Sequence, residues 1–147
     1  PPQRQLWLRA AMSEAVGSSG TDVEELRRCL ELLTHPCPAG DEEEEPTPHE
    51  RALEVLAELC ESLDNATDFC SLGGLEAMLG LLGHGRAPLR AGAARVLGAC
   101  AQNLPAAQGR ALALGVLPAL LERLRADPDP RVPPRALFAI SCKRGRG

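Results

Sequence analysis

Apolar residues recur along this chain with helical spacing, in blocks separated by glycine, proline and charge. Leu6, Trp7, Leu8, Ala11, Met12 and Ala15 predict a short amphipathic helix over 5–16, which Gly17-Ser-Ser-Gly20 interrupts. Thr21, with Glu24 three residues on, has the form of a capping box opening a second helix through Val23, Leu26, Leu30 and Leu33. A third stripe runs through Leu53, Leu56, Leu59, Cys60 and Leu63. Asp64 and Asn65 are expected to break it before Phe69 and Leu72. After Gly73-Gly74 the pattern restarts with Leu75, Met78, Leu79 and Leu82, and Gly83-His-Gly85 closes the unit.

The cycle then returns. Leu89, Ala93, Val96, Leu97 and Cys100 form a stripe, Pro105 opens a short helix carrying Leu112, and Gly115 ends it. Val116, Leu117, Leu120, Leu121 and Leu124 supply another helix, which Asp127-Pro-Asp-Pro130 stops. Leu72-Gly-Gly-Leu75 and Leu114-Gly-Val-Leu117 are forty-two positions apart, as are Cys100 and Cys142, while Cys60 precedes Cys100 by forty. A period of 40 to 42 residues falls in the range of armadillo and HEAT repeats. Each unit pairs helices whose apolar faces need neighbours, so stacking builds a core that one unit lacks. The fold class is therefore all-α, a stacked helical-repeat array of armadillo or HEAT type. The expected organisation is an N-terminal helical cap at 1–35, an acidic Pro-rich linker at 36–48, repeats at 49–142 and a basic tail at 143–147.

Composition narrows this picture. Of 147 residues 44% are hydrophobic, yet there are two Phe, one Trp and no Tyr, so the core rests on Leu, Ala and Val. That supply suits close-packed helices better than a sheet. Net charge is −4, but six of the twenty acids lie between Asp41 and Glu50; outside that run sixteen basic residues face fourteen acids. Nothing here makes a nucleic-acid footprint. No apolar run reaches membrane-spanning length, and no signal peptide opens the chain. The six cysteines lack paired C-x-x-C spacing and mostly sit in helical stripes, which favours buried thiols in a reducing compartment over disulfides or a metal site.

A catalytic constellation does not emerge. His35 and His49 flank the linker, His84 stands in a glycine turn as an exposed residue, and Glu54 and Glu58 have the spacing of ordinary solvent carboxylates. Ser18 and Ser19 lack the context of an activated nucleophile. Gly73-Gly74 lacks the Lys-Ser or Lys-Thr of a phosphate-binding loop. Trp7 reads as a core plug. A noncatalytic binder without cofactor is the expectation.

Three stretches carry a resemblance. Leu59-Cys-Glu-Ser-Leu-Asp-Asn-Ala-Thr-Asp-Phe-Cys-Ser-Leu-Gly-Gly74, Val96-Leu-Gly-Ala-Cys-Ala-Gln-Asn103 and Ala136-Leu-Phe-Ala-Ile-Ser-Cys142 resemble the armadillo-type nucleotide exchange factors of the seventy-kilodalton heat-shock chaperones. These are the cytosolic heat-shock-protein-binding family that includes the Fes-type factors. With the Leu6-Trp7 helix the resemblance covers nearly the whole chain. It implies an armadillo-like right-handed superhelical array and a cytoplasmic cochaperone whose concave surface embraces the chaperone's ATPase domain, opens the nucleotide cleft, speeds ADP release and restrains refolding when in excess. An armadillo-like interaction scaffold without exchange activity is the alternative. The family continues through further repeats, so the array is expected to be truncated, to leave Leu137, Phe138 and Ile140 uncovered, and to act as a monomer. Arg90, Arg95, Arg131 and Arg135 recur on helices that would line the inner face, where they are either solvated or meet an acidic chaperone lobe. Asn65 and Asn103 stand near repeat junctions, as helix-capping residues or partner contacts.

Overall fold

A computed structural model describes residues 21–37 and 47–144, with side chains to Cys142. The expected helix over 5–16 with Trp7, Ser18 and Ser19, the acids Asp41 to Glu45, and the side chains of the basic tail lie outside the described residues. The described residues form eight helices and no strand: α1 (Asp22–Leu33), α2 (Pro48–Leu59), α3 (Leu63–Ser71), α4 (Gly74–Leu81), α5 (Ala87–Asn103), α6 (Pro105–Leu114), α7 (Val116–Ala126) and α8 (Val132–Arg144).

Local chemistry sets most boundaries. Thr21 accepts the Glu24 N–H at 3.2 Å and opens α1 as its spacing foretold. Thr47 and Glu50 close a reciprocal capping box on α2, with Pro48, which the sequence reading put in the linker, as its first helical residue. One expectation fails here. Asp64 and Asn65 do not break the chain; they form the first turn of α3, because Ser62 caps that helix by accepting the Asn65 N–H at 3.4 Å. Ser, Asp and Asn interrupt an apolar stripe and also begin helices, and the cap decides between the two roles.

The repeat step is a backbone event. Gly73 and Gly115, forty-two residues apart, hold φ of 86° and 84°, the left-handed region that disfavours a Cβ. Each turns a short helix into the next, α3 into α4 and α6 into α7. Side-chain filling differs between the two corners. Phe69 is fully buried against Gly74, where an added Cβ would collide with its ring. The positions forty-two later are Ala111 and Val116, both buried, so a large-plus-none pair becomes a small-plus-medium one.

Helix α5 lies between α2 and α8, and these three form one layer. Its glycines permit close approach on both sides: a Cβ on Gly92 would stand 2.8 Å from Leu53, and one on Gly98 would strike Phe138. Helices α3, α4, α6 and α7 cover the layer, and α1 packs on α2 and α3. One continuous core runs from Leu26 and Cys29 through Leu56, Phe69, Met78, Leu89 and Val96 to Leu120 and Ala139. All six cysteines are free thiols. Cys29, Cys60 and Cys100 are fully buried, and Cys37, Cys70 and Cys142 are half-buried. Burial lifts the Cys29 thiol to about 12. Leu137 and Phe138 are exposed, while Ile140 is half-buried against the core.

Candidate functional site

The α2–α5–α8 layer presents an open groove of about 400 Å³. Its floor is small and apolar, from Leu53, Pro88, Ala91 and Gly92. Glu50 and Glu54 of α2 form one side, and Arg95, Arg131 and Arg135 the other. Helical spacing on α5 places Ala91, Gly92 and Arg95 on one face.

The two acids differ in availability. Glu50 Oε2 accepts from Arg86 Nε at 3.1 Å and Nη2 at 2.9 Å, and from the Thr47 hydroxyl at 3.1 Å. Arg86 is 0% exposed, so this pair ties the α4–α5 turn to the start of α2 as a fixed strut. Glu54 is exposed. Arg95 is half-buried and Arg135 exposed, and neither has a hydrogen bond or ion pair among the described residues. Arg131 folds back on Asp129, with Nη2 at 2.8 Å and Nε at 3.0 Å, and holds that carboxyl down at about 2. The groove thus sets the committed Glu50 and the exposed Glu54 across from Arg95 and Arg135, whose guanidinium groups have no partner among the described residues and suit a carboxylate on a protein surface.

The sequence-expected residues divide. Arg95, Arg131 and Arg135 come together in the groove. Arg90 does not join them. It is 8% exposed and grips Asp127 through Nε at 2.7 Å and Nη2 at 2.9 Å, while Nη1 donates to the His84 carbonyl at 2.8 Å. Burial pushes the Asp127 carboxyl upward, but hydrogen bonds from Arg90 and the Asp129 N–H, with the Arg90 and Arg123 charges, outweigh it and hold the group below its ordinary value. Arg90 is therefore a strap between unit ends, a correction to its placement on the inner face. Asn103 closes α5 by donating to the Ala99 carbonyl at 2.8 Å. Asn65 donates to Asp22 at 2.8 Å, linking α3 to α1 away from the groove.

Histidine chemistry is structural as well. His84 is half-buried rather than exposed, and its Nδ1 accepts the Arg86 N–H at 2.9 Å. Burial, then the neighbouring His49, Arg90 and Arg86, lower its pKa, against a hydrogen bond to the Cys37 backbone. His49 Nε2 donates to the His35 carbonyl at 2.9 Å, so both histidines fasten the segment after α1. Sequence reasoning missed Arg86, since nothing local distinguishes an arginine in a glycine turn from a solvated one. Among the described residues no His, Cys, Asp or Glu cluster has metal-binding form.

Residues 65–143 match the family profile of the SIL1/FES1/HPBP1 C-terminal domain. The chain is 45% identical over 145 residues to Hsp70-binding protein 1 of Homo sapiens, covering 95% of this chain and 40% of that protein. It is 32% identical over 90 residues to the Hsp70 nucleotide exchange factor FES1 of Coccidioides immitis, covering 61% of this chain and 42% of that one. It thus spans about two fifths of the length of these relatives. A designed armadillo repeat protein, solved in complex with the peptide (KR)4, superposes with a TM-score of 0.70 at 19% identity, over 94% of this chain and 56% of that one. The fold is armadillo-like and all-helical.

Proposed function

Because the chain belongs to the SIL1/FES1/HPBP1 C-terminal domain family, we propose that it is a noncatalytic cochaperone that binds the ATPase domain of seventy-kilodalton heat-shock chaperones and promotes ADP release. The supporting observation is the groove of α2, α5 and α8, where Arg95 and Arg135 stand without partners among the described residues. In this reading Arg95, Arg131 and Arg135 meet carboxylates on the chaperone, and Arg90, Asn65 and Asn103 hold the surface in shape. Opening follows from differential affinity: the groove fits the open nucleotide cleft better than the closed one, so binding shifts the population toward release. Free thiols at all six cysteines fit a reducing cytoplasm, and the chain acts as a monomer, the cap at 1–35 and the linker preceding the repeats.

The test is stopped-flow release of a fluorescent ADP analogue from a purified seventy-kilodalton chaperone, with and without the chain. Saturable acceleration is expected, with Arg95→Glu/Arg135→Glu weakening the half-saturating concentration about tenfold or more at low salt. Binding without acceleration would favour the scaffold reading. A double variant with unchanged affinity would remove the arginines from the interface.

A further inference from the structure

A second concavity, sharing no lining residue with the groove, opens where α1, α2 and α3 meet and encloses about 470 Å³. Its sides carry four carboxylates, Asp22, Glu25, Glu58 and Glu61, with no Lys or Arg, and Val55 and Leu59 supply an apolar floor. Asp22 is steadied by the Asn65 amide at 2.8 Å.

Glu25 is the feature that calls for explanation. It is only 8% exposed and lines this concavity; its N–H donates to the Thr21 carbonyl at 3.3 Å, while its carboxylate has no hydrogen bond or ion pair among the described residues. Burial, then Asp22 and Glu58, hold its carboxyl above the ordinary value, so the fold works against its charge. Arg51 Nε is the buried side-chain atom left without a partner among the described residues, so the Glu25 oxygens keep an opening onto the concavity. A carboxylate so thinly hydrated gains from a cation that enters there. The carboxylates do not form a metal-binding set. An organic cation with an apolar stem has the complementary shape: the methylenes lie over Val55 and Leu59 while the head reaches Glu25 and its neighbours.

We propose that this acidic pocket receives a lysine or arginine side chain from a basic segment of a partner polypeptide, with Glu25 as the buried anchor and Asn65 orienting Asp22 beside it. Occupancy is independent of nucleotide exchange and leaves the arginine groove free.

The test titrates the 147-residue chain with acetyl-Gly-Arg-Gly-amide, its lysine counterpart and a neutral citrulline counterpart, following backbone amide resonances. Saturable shifts confined to residues around Asp22, Glu25, Glu58 and Asn65 are expected with the cationic peptides and absent with citrulline. Glu25→Gln should weaken binding about tenfold or more while keeping or raising the melting temperature, which separates lost binding from lost folding. Glu58→Gln should weaken it as well, and serves if the first variant fails to fold. No saturable shift at millimolar peptide, equal binding of citrulline, or unchanged affinity in both variants would overturn the proposal. So would concentration-dependent self-association abolished by Glu25→Gln, which would make the occupant a second copy of the chain.

Discussion

The two repeat units end alike and are filled differently. His84 after α4 and Asp127 after α7 each accept the N–H of the residue two positions on, both at 2.9 Å, so an imidazole and a carboxylate perform the same turn closure. Arg90 touches both ends, the His84 carbonyl and the Asp127 carboxylate. The corners behave similarly: Gly73 and Gly115 share a backbone conformation, while Phe69 with Gly74 gives way to Ala111 with Val116. What an armadillo-like array repeats is therefore backbone geometry and total packed volume, and residue identity is free to drift so long as both are met.

Four substitutions probe that comparison. Phe69→Ala is expected to cost about 3–5 kcal/mol in denaturant unfolding, as for a fully buried aromatic. Adding Gly74→Val, which imports the filling of the second corner, should recover part of the loss; a double variant no more stable than the single would show that the corners are not interchangeable. Arg90→Ala should cost about 3 kcal/mol, the low end for a broken buried pair because Asp127 keeps Arg123 at 3.1 Å and the Asp129 N–H. The Arg110–Glu76 pair at 2.7 Å is a contrast, since its side chains are 54% and 42% exposed and Arg110→Ala should cost about 0–1 kcal/mol.

The smallest effect is a separation by pH. The folded pKa of His84 lies below its unfolded 6.5, so its contribution is complete above that value and declines as pH falls below it. The folded pKa of Asp127 lies below 3.8, so its contribution persists to lower pH and is lost only as pH falls further. On acidification the His84 contribution should be lost in a first stage and those of Asp127 and Asp129 in a second at lower pH, with the raised Glu25 carboxyl acting in the opposite sense between them. His84→Gln should flatten the first and leave the second intact. A first stage that survives the substitution would exclude His84 as its source.

Much of the fold was legible because its signals are local. The 3.6-residue stripes, the Thr21 cap, Pro105 at the first position of α6, and the two left-handed glycines require only neighbours in sequence to have their effect. Asn65 was misread as a breaker because a polar residue after an apolar stripe looks the same whether the helix ends or a new one starts. Of the four arginines expected together on the inner face, Arg95, Arg131 and Arg135 line the groove and Arg90 does not.

The remainder depended on distance across the chain. Arg90 and Arg95 sit on one helix five residues apart, yet one is buried on Asp127, thirty-seven positions away, and the other faces the groove. Glu25 looks like any acid in a first helical turn until α2 and α3 close around it. Sequence by itself determined most of the described helices, the repeat step and the family, because periodicity and backbone preference are properties of short segments. Only the tertiary structure decided which charges are struts and which are surfaces, because burial and partner distance, on which every electrostatic energy depends, do not exist until the segments pack.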